Sequence, residues 1–352
     1  MIPMKPRVLI IGPSNIGDAI LACDVIAAVH RGAVDAHVTL VVGERAKALF
    51  ADDPRIHTVL DADAFGSMWG RFKLALALWR YQPHVVIDLR HTLLPLLLKP
   101  LQCWRYLPQP PKALVHMRER HLWKLSRHAP QIASAAIAPH PLASSQASDG
   151  AAVWLSAKDV GHVDGLWRRW HLSERQPLVM ICPGARSHIK RWSVEGFACV
   201  ADRLITECGA QVVFSGEPDE EPVIESIREL MKGQAYSAVG LTTIRQVGAL
   251  MRRAQLVITN DSASLHLASA LRVPTVAIFG PTDAAKYGPT APLNRTIHRR
   301  LFCAPCEQAL CRFSHECMRF ISAEEVFDAA VALLGHGARD GGRGTKNNPT
   351  RA

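Results

Sequence analysis

Four loops in this chain carry residue types that chemistry uses, each set between an apolar run and a helical pattern. The first, Gly12-Pro13-Ser14-Asn15-Ile16-Gly17-Asp18, has two glycines that permit a tight turn and close backbone approach, and it leaves a carboxylate near a helix start. Asp18 is either a working group there or an N-cap that steadies the helix. The fingerprint G-x-G-x-x-G is absent, which disfavours an NAD oxidoreductase. The second loop, Cys182 to Trp192, opens on Pro183-Gly184 and then carries Arg186, Lys190 and Arg191. Such cations before a helix suit a pyrophosphate. The order is not that of a Walker loop, which disfavours a P-loop ATPase; the plain alternative is a solvated basic loop. The third, Gly216-Glu217-Pro218-Asp219-Glu220-Glu221, offers carboxylates to ribose hydroxyls, or holds solvated turn acids. In the fourth, Thr259-Asn260-Asp261-Ser262-Ala263-Ser264-Leu265-His266, an Asn-Asp-Ser cluster is expected to cap the next helix and present N–H donors to an anion. His266, one turn in, faces the same cleft or is a satisfied core histidine.

Two further groupings carry metal-ligating residue types. Asp61-Ala62-Asp63 has the look of a D-x-D metal clamp but lacks other acidic partners, so it reads as turn residues. Cys303, Cys306, Cys311 and Cys317 form C-x2-C-x4-C-x5-C, a set able to hold one structural Zn²⁺ or to remain a reduced, metal-free cluster. Charge is also uneven. The formal net charge is +10, and between Phe65 and His140 eleven Lys/Arg face only Asp88 and Glu119. A field of that kind attracts polyanions such as a phosphorylated glycan or anionic lipid, or is simply a solvated basic surface. The scattered aromatics of the window form no nucleic-acid stacking motif, so no nucleic-acid partner is expected.

The elements that must position these loops alternate. Val8–Ile11, His37–Val42 and Val85–Leu89 read as buried strands separated by helical sequence, as do Leu178–Cys182, Gln211–Ser215, Leu256–Thr259 and Thr275–Phe279. That pattern predicts two doubly wound α/β domains with a cleft between them. The first is expected over residues 1–171, the second over 172–335, with a hinge near 172–177. Pro130 to Gly150, rich in Ala, Ser, Pro and His, reads as a long loop, and 336–352 as a disordered tail. At 352 residues, 48% hydrophobic and 20% charged, the composition is globular. No apolar run reaches the ~18 residues of a membrane span, no export signal is expected, and nine cysteines without one point to cytosolic thiols or a metal site rather than a disulfide scaffold.

Taken together the loops resemble glycosyltransferase family 9, the lipopolysaccharide heptosyltransferases and their relatives. The resemblance runs from about residue 7 to 334. It is carried by Gly-Pro-Ser-x-x-Gly-Asp at 12–18, Pro-Gly-Ala with Lys-Arg-Trp at 183–192, Ser-Gly-Glu-Pro-Asp-Glu at 215–220, Asn-Asp-Ser-x-x-x-His at 260–266 and Phe-Gly-Pro-Thr-Asp at 279–283. It implies a GT-B fold, with acceptor in the first Rossmann-like domain and nucleotide-sugar donor in the second. It further implies inverting transfer of heptose from an ADP-activated donor, with no cofactor required for catalysis. Asp18 then matches the general base, Lys190 the donor-phosphate lysine, Glu220 the ribose carboxylate, Asp261 and Ser262 the helix-start donor contacts, and His266 the histidine of that motif. Ala185 and Arg186 fall at phosphate-loop positions. The acceptor would meet Ser14 and, from the basic window, Arg90, Lys99, Arg118 and Arg120. An anionic glycolipid acceptor places the enzyme in the cytoplasm, peripheral on the inner face of the inner membrane. Ala263 stands where the family has Gly, and Asp24 where many members have Pro. The alternatives are another nucleotide-sugar donor or a protein acceptor on the same fold, or a non-catalytic nucleotide- or anion-binding module.

Overall fold

The computed structural model describes residues 5–65, 68–92, 94–98, 106, 108–137 and 152–340. The chain divides into two compact units, one made of Met1–His162 with the returning segments Thr243–Gly248 and Ala285–Tyr287, the other of the remainder.

In the first unit, strand and helix alternate as β1 (Arg7–Ile11), α1 (Ile16–Gly32), β2 (His37–Val42), α2 (Glu44–Phe50), β3 (Thr58–Asp61), α3 (Met68–Arg80) and β4 (Val85–Asp88). The helices α4 (Leu94–Leu98), α5 (Met117–His128) and α6 (Pro130–Ile137) follow. The sheet is wholly parallel in the order β3-β2-β1-β4. Its strands are continuous apolar runs because both faces are covered. On one face Leu9, Ile11, Val41 and Val86 pack with Leu74 and Leu78 of α3 and with Leu98 and Tyr106.

The second unit begins within α7 (Ala157–Arg169). From there the chain continues through β5 (Leu178–Cys182), α8 (Val194–Cys208), β6 (Gln211–Phe214), α9 (Glu221–Leu230), β7 (Ala235–Ser237), α10 (Ile244–Arg253), β8 (Leu256–Asn260), α11 (Ala263–Ala270), β9 (Thr275–Phe279), α12 (Ala284–Tyr287), β10 (Asn294–His298), α13 (Glu316–Arg319) and α14 (Ala323–Asp340), the first part of α10 and most of α12 counting with the first unit. These strands, again all parallel, run β10-β9-β8-β5-β6-β7. α8 shows why its segment is helical: the Ser193 hydroxyl accepts from Gly196 N at its start, and Gly209 ends it at φ +61°, a conformation glycine takes without steric cost.

Three expectations change. Pro130–Ile137 is helix rather than loop. A proline at the first helical position and alanines behind it favour that state, and Ile132 is buried against α1 at Gly32. The rest of the expected loop, 138–150, lies outside the described residues. α14 runs on to Asp340, into the segment expected to be disordered; 341–352 lie outside the description. The units part at His162/Val163 rather than near 171, because Trp167 and Trp170 pack with the second unit: Arg253 lies 3.7 Å over the Trp167 ring, and Trp170 stacks on Tyr236.

Candidate active site

In doubly wound sheets, ligands meet the carboxyl ends of strands at the point where successive connections leave in opposite directions. Both sheets have such a point, between β5 and β8 and between β1 and β4.

In the second unit, Cys182 of β5 pairs with Thr259 of β8, so loops 183–192 and 260–266 start side by side. Asn260, fully buried, ties them: its Nδ2 donates to Pro183 O at 2.6 Å and its Oδ1 accepts from Trp192 N at 3.2 Å. Lys190 Nζ donates to Asp261 Oδ2 at 2.7 Å, and Thr282 Oγ1 donates to the same oxygen at 2.6 Å. The Asp261 side chain is 5% exposed and that of Lys190 29%, so the ammonium is the member nearer solvent. Arg191 Nε donates to Ala185 O at 2.8 Å, fixing the phosphate-suited turn, with the Arg186 side chain exposed on it. Glu220 is half-buried against Gly184. A Cβ on Gly184 would lie 2.0 Å from the Glu220 carboxyl carbon, so only glycine leaves this seat open. Glu217 N donates to Glu220 Oε2 at 2.9 Å, and burial raises the Glu220 carboxyl above the usual carboxylate range. Lys190, Ala185, Glu220 and Asp261 thus border one switch point. Ser262 takes the N-cap position of α11, but its side chain makes no capping bond; its hydroxyl lies 3.3 Å from that of Thr259. The expected capping cluster instead ties loops together. His266 is buried within α11.

In the first unit, Ile11 of β1 pairs with Asp88 of β4, and loops 12–18 and 88–92 leave from there. Asn15 is the N-cap of α1 and Asp18 stands in the first turn, so the capping reading of Asp18 gives way. Asp88 is buried; it accepts from Arg90 N, Thr92 N and Thr92 Oγ1, while burial raises its carboxyl. The α5 side chains Lys124 and His128 brace the same loop: Lys124 Nζ donates to Leu89 O at 2.6 Å, and His128 Nδ1 accepts from Asp88 N at 3.2 Å. Burial, then the neighbouring Lys124 charge, push His128 down to about 3. His121, 2% exposed, donates to the Leu21 carbonyl one turn beyond Asp18, and burial lowers it to about 4. Its Nδ1 and the Ser14 hydroxyl are buried with no hydrogen-bond partner. His121, Arg120, Lys124 and Lys112 line a surface cavity.

The expected acceptor residues separate. Ser14 lies in the loop and Arg90 is exposed beside it. Arg120 Nη1 donates to Leu114 O. Arg118 is engaged elsewhere, bidentate with Asp24 of α1 at 2.5 and 3.0 Å. Lys99 lies outside the described residues. Sequence alone did not point to a role for His121, Lys124, His128, Asp88 or Thr282, although Thr282 falls within the 279–283 motif.

Cys303, Cys306 and Cys311 lie between β10 and α13, and Cys317 lies in α13. Among the described residues no three His, Cys, Asp or Glu side chains are placed to hold a metal ion. Cys317 is turned into the core, its Sγ 3.2 Å from where a Gly280 Cβ would stand, whereas Cys303, Cys306 and Cys311 are half-buried. Burial, and then Cys311, Cys303 and Cys306, raise the Cys317 thiol. Asp61 and Asp63 behave as turn residues: Asp63 N donates to Asp61 Oδ1, and Asp63 Oδ2 accepts from Glu44 N.

Two parallel, doubly wound sheets with polar loops at both switch points define an α/β protein of the GT-B type. A crystal structure described as a glycosyl transferase family 9 from Veillonella parvula superposes with TM-score 0.78 at 20% identity over 94% of this chain and 98% of that one. An Escherichia coli structure described as an ADP-heptose lps heptosyltransferase II gives TM-score 0.70 at 21% identity, covering 94% and 99%. Residues 145–316, just under half of the chain, match the model of glycosyltransferase family 9 (heptosyltransferase). It is 34% identical over 158 residues to lipooligosaccharide heptosyltransferase 2 of Campylobacter jejuni, 43% of this chain and 49% of that protein. The match thus spans about half the length of that relative.

Proposed function

We propose that this chain is an inverting heptosyltransferase that moves heptose from ADP-heptose to an inner-core acceptor of lipopolysaccharide or lipooligosaccharide. Asp18 takes the proton of the acceptor hydroxyl as its oxygen bonds to the anomeric carbon; the bond from that carbon to the ADP oxygen breaks, and ADP leaves with the electron pair. A positioned base of this kind supplies roughly 10²–10⁴-fold. Lys190, Arg186 and the start of α11 face the charge that develops on the diphosphate, the task a divalent cation performs elsewhere. Glu220, seated on Gly184, accepts from the ribose hydroxyls.

The observation that supports this reading best is the Lys190–Asp261–Thr282 cluster at the β5/β8 switch point, which holds a cation where a diphosphate would arrive. The names of the relatives add the donor and acceptor class. Calorimetry with ADP, UDP and GDP in EDTA tests it: ADP is expected to bind preferentially. Preference for UDP or GDP would keep the fold and remove ADP-heptose, and no nucleotide binding would leave a non-catalytic module. Acceptor capture by the basic window predicts an acceptor KM that rises with salt. The site of action proposed is the cytoplasmic face of the inner membrane; among the described residues no helix is long and apolar enough to cross one.

A further inference from the structure

The outward side of α3 is the opposite of what a solvent-facing helix carries. Leu74, Ala75 and Leu78 turn inward, Leu74 and Leu78 joining the core beneath the sheet. Phe72, Leu76 and Trp79, at i, i+4 and i+7, form one stripe on the other side and are 60%, 47% and 61% exposed. Leu97 of α4, 63% exposed, adds a fourth apolar side chain on the helix that follows the Asp88–Thr92 loop. Lys73 and Arg80, both exposed and seven residues apart, border the stripe along one edge, and the sequence of α3 contains no Asp or Glu. A stripe of Phe, Leu and Trp edged by cations, on a short helix with no acid, is the composition that lies in the headgroup layer of a membrane rather than across it.

We propose that α3, with Leu97 of α4, is the element by which the chain docks on an anionic phospholipid surface. Charge complementarity selects that occupant: residues 65–140 carry eleven Lys/Arg against two acids, so the stripe sits within the most basic part of the chain. The apolar side chains supply affinity, and the cations supply preference for negative headgroups. The docking helix also adjoins chemistry, since α3 leads into β4 and α4 leaves from the loop at its carboxyl end. A lipid-linked acceptor is part of the function proposed above, and docking rests on that reading only for its purpose; vesicle binding is measured with neither donor nor acceptor.

The test is co-sedimentation of the full chain with vesicles of phosphatidylcholine alone and of phosphatidylcholine mixed with phosphatidylglycerol. Wild type is expected to bind the mixed vesicles, less tightly as salt rises. The Phe72→Ser/Trp79→Ser variant is expected to bind at least about ten-fold more weakly, and Lys73→Gln/Arg80→Gln to lose about ten-fold on mixed vesicles only. Thermal unfolding of both variants checks that they fold. Equal binding of wild type and folded variants, or no vesicle binding by wild type, would overturn the proposal. So would a wild-type dimer in analytical ultracentrifugation that Phe72→Ser/Trp79→Ser dissociates, since a second copy would then cover the stripe. Vesicle docking without nucleotide binding would keep this inference and remove the transferase reading.

Discussion

At the β5/β8 switch point the polar side chains of the loops bind one another: Asn260 ties Pro183 to Trp192, and Asp261 receives Lys190 and Thr282. At the β1/β4 switch point Asp88 is likewise satisfied, but the Ser14 hydroxyl and His121 Nδ1 are buried with no partner. The strand orders correspond, β3-β2-β1-β4 beside β7-β6-β5-β8, with β9 and β10 extending the second sheet. The same topology is therefore finished in two ways. An unsatisfied buried polar group costs about 1–3 kcal/mol, a cost a bound hydroxyl or phosphate oxygen removes. The second switch point is closed by its own side chains, whereas the first leaves two buried polar atoms without a partner.

The largest expected break between the halves is at Asp18. Asp18→Asn should lower kcat by roughly 10²–10⁴-fold while leaving ADP affinity, proposed for the second unit, unchanged. Near-wild-type transfer at saturating donor would remove the base assignment. Acid should also separate the units. His121 is lowered from 6.5 to about 4 by burial, then by Lys124 and Arg120, with Asp18 opposing. The unfolded chain thus takes up this proton first, and stability falls as pH drops from 6.5 toward 4, by on the order of 3 kcal/mol. His128, lowered to about 3 by burial, Lys124, His91 and Arg127, acts in the same sense. Asp88 and Glu220, raised by burial, act oppositely, since the native state then holds the proton more tightly. Melting curves between pH 7.5 and 4.5 should show a steep decline that His121→Asn makes shallower; parallel slopes would refute it.

Within the second unit, Lys190→Ala should weaken ADP binding about 10–100-fold, the worth of a charge-assisted contact. A lower Tm with unchanged ADP affinity would instead make Lys190 only the partner of Asp261. Gly184→Ala should match Glu220→Gln in ADP affinity, because the added Cβ displaces the Glu220 carboxylate. Titration calorimetry on both variants reads that equivalence directly.

The sequence exposed the parts whose physics is local. Continuous apolar runs located the central strands, and Pro-Gly, Asn-Asp-Ser and the acidic turn located the loops at their ends. The edge strands β7, of three residues, and β10, Asn-Arg-Thr-Ile-His, went unread because an edge needs no continuous apolar run. α6 was hidden by its lack of charge. What could not be read was pairing at a distance. Lys190 with Asp261, Glu220 with Gly184, and His121 with Leu21 are far apart in the chain, and the fold alone decides that they meet.

Arg118 gives the smallest effect and the finest division between support and binding. In sequence it belongs with Arg120 in the basic window; in the fold its guanidinium lies across the Asp24 carboxylate, two parallel bonds joining α5 to α1. Charge on one helix thus answers charge on the other. Both side chains remain partly exposed, 36% and 25%, so solvent screening limits the pair to about 1 kcal/mol or less. At that size Arg118→Gln and Asp24→Asn should each lower Tm by no more than about 2–4 °C, and the double variant should lose less than the sum. Neither should change acceptor KM if the pair only braces α5 against the helix that carries Asp18. A rise in KM confined to Arg118→Gln, with Asp24→Asn unaffected, would return Arg118 to the acceptor and make its contact with Asp24 the resting position of a binding residue.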